Sequence, residues 1–439
     1  MSEARLRQHA RTIWDAGVAA AEPEHLVAAA LRGSLGDDVR QAARILLVGG
    51  GKAGTAMARG VEQSLTDCLP RVDGWVNVPA GSEQKLARIV LHPARPAGSN
   101  HPTEEGVAGV RRMLDLTANA GPDDVVLALI SGGGSALMPA PADGITLADK
   151  QIVTRLLHAC GASIDEMNCV RKHLSRFKGG GLAGSFRGRK LVSLIISDVV
   201  GDPLDVIASG PTAVDPTTFA DALAVLQRYD LLPRTPASVQ QRLEAGASGV
   251  LAETLKSLPP HIENRILGCN AISLRACQAR AETLGYRVLN LGSMVEGETR
   301  EVAIAFAGIV RSIRRDGIPL SAPACVLLGG ETTVTLGAKA GKGGRNQEFV
   351  LAMVHKLGPV GLKAVVVLSA GTDGEDGPTD AAGAIGGSET PETARRLGLK
   401  LESYLDSHDA YPFFEQTKGL IQTGLTGTNV MDIRVILIA

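Results

Sequence analysis

Short, mainly apolar runs alternate along the chain with stretches whose apolar residues recur every three or four positions. Residues 45–48, 74–78, 87–91, 125–130 and 191–196 read as buried strands. The segments between them read as helices; after Lys52, for example, Met57, Val61 and Leu65 fall on one face. This rhythm predicts a parallel sheet with helices on both faces. Before it, Leu6, Ala10, Ile13, Trp14 and Val18 line one face of an N-terminal amphipathic helix, and Glu3, Arg5, Arg7 and Arg11 make it unlike a signal peptide. Thr146 and Asp149 are spaced as a capping box for a helix running to Cys160, with Ile152 and Leu156 on its stripe. Residues 215–260 read as helical, broken at Pro233, Pro236, Pro259 and Pro260, and the domain change is placed there. The expected domains are 1–235 and 236–439. Strands then resume at 265–268, 287–291, 324–328, 364–368 and 433–438.

Composition narrows the picture. A chain of 439 residues exceeds one ordinary core, so two domains with a substrate cleft between them are expected. A 44% hydrophobic and 21% charged composition is that of a soluble globular protein. A formal net charge of −1 and 3% aromatic residues give neither the field nor the stacking surfaces that nucleic acid requires. No apolar run approaches the roughly 18 residues of a membrane span. Cys68, Cys160, Cys169, Cys269, Cys277 and Cys325 show no CxxC pair and no zinc spacing, so they read as reduced thiols of a cytoplasmic protein. Oligomeric state is left open, with a homodimer as one assembly to consider.

The chemistry is concentrated where strands end. The first strand runs into Gly49, Gly50, Gly51 and Lys52 ahead of a helix, a turn whose backbone N–H groups suit phosphate. Gly49, Gly51 and Gly54 match G-x-G-x-x-G, the dinucleotide fingerprint. Its ribose-binding acid is missing, because the second strand ends Val76-Asn77-Val78-Pro79 with Asp73 before it. A lysine inside the turn points instead to a phosphoryl group. The fourth strand runs into Ser131, Gly132, Gly133, Gly134 and Ser135, a second loop of amide and hydroxyl donors. Phosphoryl transfer also needs cations and metal-holding carboxylates. Arg345 stands before a helix, and Asp198, Asp202, Glu331, Asp373 and Asp376 are loop acids. The run Arg171, Lys172, His173, Arg176 and Lys178 precedes another glycine triplet; such a run is ordinarily a solvated helix face, yet Lys178 at the triplet is counted with the phosphate-binding positions. A P-loop, a protein-kinase signature set and G-x-S-x-G are all absent.

In order, GGGKA (49–53), NHPTEEG (100–106), SGGGSAL (131–137), RKHLSRFKGGGLA (171–183), SDVVGDPLDVIASGPT (197–212), GGETTV (329–334), GGRNQE (343–348), GTDGEDGPTDAAGA (371–384) and TGTNVMD (426–432) resemble the glycerate 2-kinase family, whose C-terminal part is the MOFRL domain, here about 323–437. The resemblance departs from the family pattern after His-Pro in NHPTEEG. It implies a Rossmann-like N-terminal domain facing a second α/β domain with a mixed sheet across a deep cleft. It also implies ATP-dependent phosphorylation of D-glycerate to 2-phosphoglycerate with Mg²⁺. The family's functional lysine falls on Lys52 and its functional arginine on Arg345, with Asp198, Asp202 and Asp373 as metal candidates. Family members are also named hydroxypyruvate reductases, so an NAD(P)H-dependent reductase is the alternative, and a non-catalytic sugar-acid or nucleotide sensor is a third reading.

Overall fold

Ile45, Leu46, Leu47 and Val48 are buried in a strand, β1 (Ile45–Gly50), covered on both faces, as an apolar run without alternation requires. The computed structural model describes residues 1–96, 99, 101–337 and 340–439. These divide into two units: Pro23–Leu267, and Met1–Glu22 with Gly268–Ala439. Asn100 of the NHPTEEG motif lies outside the described residues.

In the Pro23–Leu267 unit, β1 is joined by β2 (Val72–Pro79), β3 (Ile89–Arg95), β4 (Val125–Ile130), β5 (Lys190–Ile196) and β6 (Ile262–Gly268) in the order β3-β2-β1-β4-β5-β6. Pairings from β3 through β5 are parallel, with Ile45 opposite both Val72 and Val125. The chain winds outward in one direction through β2 and β3, then in the other through β4 and β5. In open parallel sheets such a reversal leaves a crevice at the carboxyl ends of the two strands beside it. Here those strands are β1 and β4, the two that end in glycine loops.

The expected boundary at 235/236 lies inside this unit. Helices Phe219–Arg228 and Ala237–Ala247 bury Phe219, Leu226, Val239 and Leu243 in one cluster with Val153, Leu157 and Val170. Pro233 and Pro236 lie between these helices, Pro259 and Pro260 lie just before β6, and β6 extends the first sheet. The chain leaves the unit at Leu267/Gly268, at the end of the strand that completes the first sheet.

The second unit is a mixed sheet of β7 (Arg287–Asn290), β8 (Ala324–Gly330), β9 (Val365–Gly371), β10 (Gly383–Gly387), β11 (Leu420–Ile421) and β12 (Asp432–Ile438), ordered β11-β10-β9-β12-β8-β7. The last strand inserts antiparallel between β8 and β9. Glycine-rich β10 and two-residue β11 carry no hydrophobic pattern, and the sheet edge recruits them. The N-terminal helix Glu3–Ala19 belongs to this unit. Leu6, Ile13 and Trp14 pack with Leu274 and Cys277 against Leu327, Leu368 and Val435, each buried aliphatic contributing about 1.5–3 kcal/mol. Trp14 Nε1 donates to the Ala370 carbonyl at 3.3 Å. On the opposite face lie helices Thr299–Asp316 and Arg345–Gly361. Among the described residues no helix is long and apolar enough to cross a membrane.

Gly49 has φ of 139°, and a Cβ there would overlap the Leu129 backbone of the neighbouring strand. Gly49→Ala should therefore destabilise the fold by about 3 kcal/mol, read as a lowered midpoint in denaturant unfolding; an unchanged midpoint would refute this close approach.

Candidate active site

The two glycine loops are tied together at the reversal between β1 and β4. Lys52 N–H donates to Gly132 O at 2.8 Å, and Ala53 N–H donates to Ser131 Oγ at 3.1 Å. On the other side Gly51 N–H donates to Asn77 O at 3.2 Å. Gly50, Gly51, Lys52 and the 131–135 loop thus form one constellation, with helix Gly54–Ser64 following the lysine as its spacing predicts. Ser131, expected to offer a hydroxyl to a ligand, is buried and locks the loops. Lys52 is exposed; a Cβ on Gly133 would stand 3.1 Å from an Arg95 guanidinium nitrogen and 3.5 Å from Lys52 Cγ, so two cations flank this turn.

Asn77 occupies the place where a dinucleotide site keeps its ribose acid. It is fully buried, and its Nδ2 donates to Leu137 O at 2.8 Å and Gly106 O at 3.2 Å. Asp73 is exposed near the start of β2, away from the strand's carboxyl end.

Behind the second loop the basic run departs from expectation. Lys172, His173 and Lys178 are buried, and only Arg176 is an exposed face residue. Capping boxes at Thr146 and Ser163 start helices Leu147–Ala159 and Ile164–His173, which aim Lys150 and Arg171 inward. Lys178 Nζ donates to Ser135 O at 2.8 Å and lies 2.7 Å from Ser135 Oγ. Arg171 donates to the same hydroxyl, and Ser209 Oγ stands 3.1 Å away. Burial pushes Lys178 well below the ordinary lysine range, and Arg171 and Lys150 push it further. Nearby, Lys172 has two acids, Asp205 at 2.9 Å and Asp215 at 3.2 Å. Lys150, Arg171 and Lys178 make no ion pair among the described residues, so the set suits an anionic ligand.

Asp198 and Asp202 follow β5 in this unit, and Asp202 is held at φ of 55°. Its Oδ1 is buried without a hydrogen-bond partner. Asp373 lies in the second unit, where its Oδ1 accepts from Glu375 N–H at 3.2 Å. Among the described residues no three His, Cys, Asp or Glu side chains converge as ready metal ligands.

Arg345, also in the second unit, is the first residue of its helix. Its guanidinium grips Asp432 through Nε at 2.7 Å and Nη2 at 3.1 Å, while Nη1 reaches Glu331 at 2.6 Å. Burial would raise Asp432, but Arg345 and Arg434 hold it below the usual carboxylate range. Burial pushes Asp376 up to about 6, against the pull of Asn346 and Gln347 N–H groups that it accepts at 3.0 and 2.9 Å. Its carboxylate caps the helix and fixes the direction of Arg345.

Sequence reasoning did not count Lys150, Arg171, Ser209, Arg95 or Asp432 among the site residues, although it noted Arg171 in the basic run. Arg171 and Asp432 stood within noted motifs, so an ionisable residue beside a glycine loop was the available signal. Lys150 had none, being one polar residue of an amphipathic helix.

The chain matches a model described as a domain of unknown function, DUF4147, over residues 9–244, and the MOFRL family over 324–432. It is 41% identical over 390 residues to a glycerate 2-kinase of Pyrococcus horikoshii, covering 89% of this chain and 86% of that one. It is 42% identical over 436 residues to an Agrobacterium vitis protein with a provisional hydroxypyruvate reductase name, covering 98% and 94%. A crystal structure of a glycerate kinase from Thermotoga maritima superposes with a TM-score of 0.88 at 35% identity, covering 99% of this chain and 100% of that one.

Lys150 gives the cationic set a measurable signature. Its Nζ donates to Leu174 O at 2.9 Å, and burial, with Arg171 and Arg242, lowers it to about 7. Between about pH 7 and 10 the unfolded chain binds this proton more tightly than the folded one, so stability lost to Lys150 is greatest at and below pH 7 and shrinks toward pH 10. Lys150→Met should therefore raise the melting temperature relative to wild type most at pH 7 and least at pH 10. A difference independent of pH would contradict the buried, unpaired amine.

Proposed function

The chain belongs to the glycerate kinase family that carries the MOFRL domain, and on that premise we propose that it transfers the terminal phosphoryl group of ATP to the 2-hydroxyl of D-glycerate, giving 2-phosphoglycerate and ADP. The observation that carries this reading is the pair of glycine loops locked at the strand-order reversal, with Arg171 and Lys178 converging on Ser135 of the second loop and neither making an ion pair among the described residues. Such a set neutralises a polyphosphate, and phosphoryl transfer is accelerated mainly by placing donors and cations where charge develops.

In this reading Gly50, Gly51 and the 132–135 loop cradle phosphate oxygens, and Ser131 keeps the loops in register. Lys52 meets the transferring group, and Ser135 and Lys178 complete the anion-binding set. Arg345 is oriented by Asp432, Glu331 and the cap from Asp376, and its remaining exposed edge serves a carboxylate or phosphate. Asp198, Asp202 and Asp373 are hard oxygen donors, and the orphaned Asp202 Oδ1 suits a cation. Mg²⁺ held by such residues would neutralise charge on the phosphate oxygens. The free state of all six cysteines suits a cytoplasmic enzyme.

A hydroxypyruvate reductase is the weaker reading, although a relative carries that name. Asn77 stands where that activity would keep a ribose-binding carboxylate at the end of β2, and it is fully buried with its Nδ2 donated to two backbone carbonyls.

Purified protein given D-glycerate, ATP and Mg²⁺ should release ADP and form 2-phosphoglycerate, distinguished enzymatically from the 3-isomer. NADH oxidation with hydroxypyruvate and no ADP would overturn the assignment. Lys52→Ala and Arg345→Ala should each lower kcat by about 100-fold or more with the fold intact. Near-normal turnover in both would remove them from the machinery.

A further inference from the structure

The buried amine of Lys178 is a costly way to supply positive charge. Its Nζ touches Ser135 O, Ser135 Oγ and, at 3.5 Å each, Ala208 O and Ser209 Oγ. No carboxylate lies against it among the described residues. Asp205 and Asp215 are engaged by Lys172. The ionisable groups facing it are cationic: Arg171 from helix Ile164–His173 and Lys150 from helix Leu147–Ala159. Lys52 and Arg95 flank the same glycine loop at Gly133. Burial and these neighbouring cations favour the neutral form of the amine, which has N–H bonds for the Ser135 carbonyl and one lone pair.

The ammonium form donates to the Ser135 hydroxyl at 2.7 Å, and the neutral amine can accept from it across the same distance. The Ser135 proton has two acceptors in reach, Lys178 Nζ at 2.7 Å and Ser209 Oγ at 3.1 Å. Ser209 donates its own proton to Asn168 Oδ1 at 3.0 Å, so it meets Ser135 as an oxygen only. The amine is both nearer and more basic. Arg171 donates to the same Ser135 oxygen and favours negative charge developing there. Ser135 itself is only half-buried, in the loop at the carboxyl end of β4, so its hydroxyl is reachable while the amine behind it is not.

We infer that Ser135 and Lys178 form the proton relay of the transfer, Ser135 Oγ accepting the proton of the attacking hydroxyl as it passes its own to Lys178 Nζ. This rests on the phosphoryl-transfer reading and adds a role that charge neutralisation alone does not require. The substrate O–H bond breaks and its oxygen bonds to the terminal phosphorus of ATP. The bond from that phosphorus to its bridging oxygen breaks, and ADP leaves with the electron pair. The hydroxyl proton resides on Ser135, and the former Ser135 proton makes Lys178 an ammonium, which returns it to water after product release. Ser135 is the catalytic residue of the pair; Lys178 acts through it.

A cation needed only for its charge can be replaced by arginine, whereas a proton acceptor cannot, because arginine stays protonated. Full-length wild type, Ser135→Ala, Lys178→Arg and Lys178→Met are compared with D-glycerate, ATP and Mg²⁺ from pH 6 to 10. Ser135→Ala and Lys178→Arg should lose about 100-fold or more in kcat, with the KM for ATP changed less than about threefold. The rise of wild-type kcat with pH should vanish in both. Lys178→Arg retaining over a tenth of wild-type kcat, or the wild-type pH profile, would overturn the relay and leave Lys178 a charge. If neither Lys178 variant folds by circular dichroism, Ser135→Ala decides by the same criteria. Wild type without glycerate-dependent ADP release would defeat the phosphoryl-transfer reading itself, and the relay with it.

Discussion

The close approach of the β1 and β4 backbones is the constraint on which the Pro23–Leu267 unit depends. Gly49 and Gly51 face the Leu129 and Ser131 backbones with no room for a Cβ, and the Ser131 hydroxyl closes the gap by accepting from Ala53. With both loops fixed, Lys52 and the 131–135 segment share one rigid frame. A ligand there finds its donors already ordered, so little conformational entropy remains to be lost on binding. The same two strands flank the reversal of strand order, which leaves their carboxyl ends open.

Stability is conceded around that frame. Burying Lys150, Arg171 and Lys178 without anionic partners carries a desolvation cost that a hydrophobic core would avoid. Such concessions cluster where function requires them, because a desolvated cation or neutral amine interacts with a substrate far more strongly than its surface counterpart. Lys172, one residue from Arg171, follows the ordinary rule and is compensated by two carboxylates. The contrast between these adjacent side chains is between a cation compensated by carboxylates and one that makes no ion pair among the described residues.

The second unit solves a different problem with an opposite charge pattern. There a single guanidinium is held by Asp432 and Glu331, and the helix that begins with it is capped by the buried Asp376. Insertion of the last strand between β8 and β9 brings Asp432 to Arg345 across 87 residues of chain. An arginine in this setting has one orientation, which is what recognition of a planar or tetrahedral anion needs.

The sequence by itself determined the parallel α/β architecture, the N-terminal amphipathic helix, the Thr146 cap and the positions of both glycine loops. Each of these is written in local periodicity or in residues with special backbone freedom. The resemblance of its ordered motifs pointed to Lys52 and Arg345 as the residues to test. Tertiary structure alone decided that the chain passes between units at Leu267 and that Glu3–Ala19 belongs with the C-terminal sheet, because burial of an apolar face depends on which distant face covers it. It also decided that glycine-rich β10 is a strand, that the basic run turns inward, and that Ser135, Lys178 and Arg171 meet. Such contacts join residues tens of positions apart, and no local pattern of charge or hydrophobicity distinguishes a lysine destined for solvent from one destined for the interior.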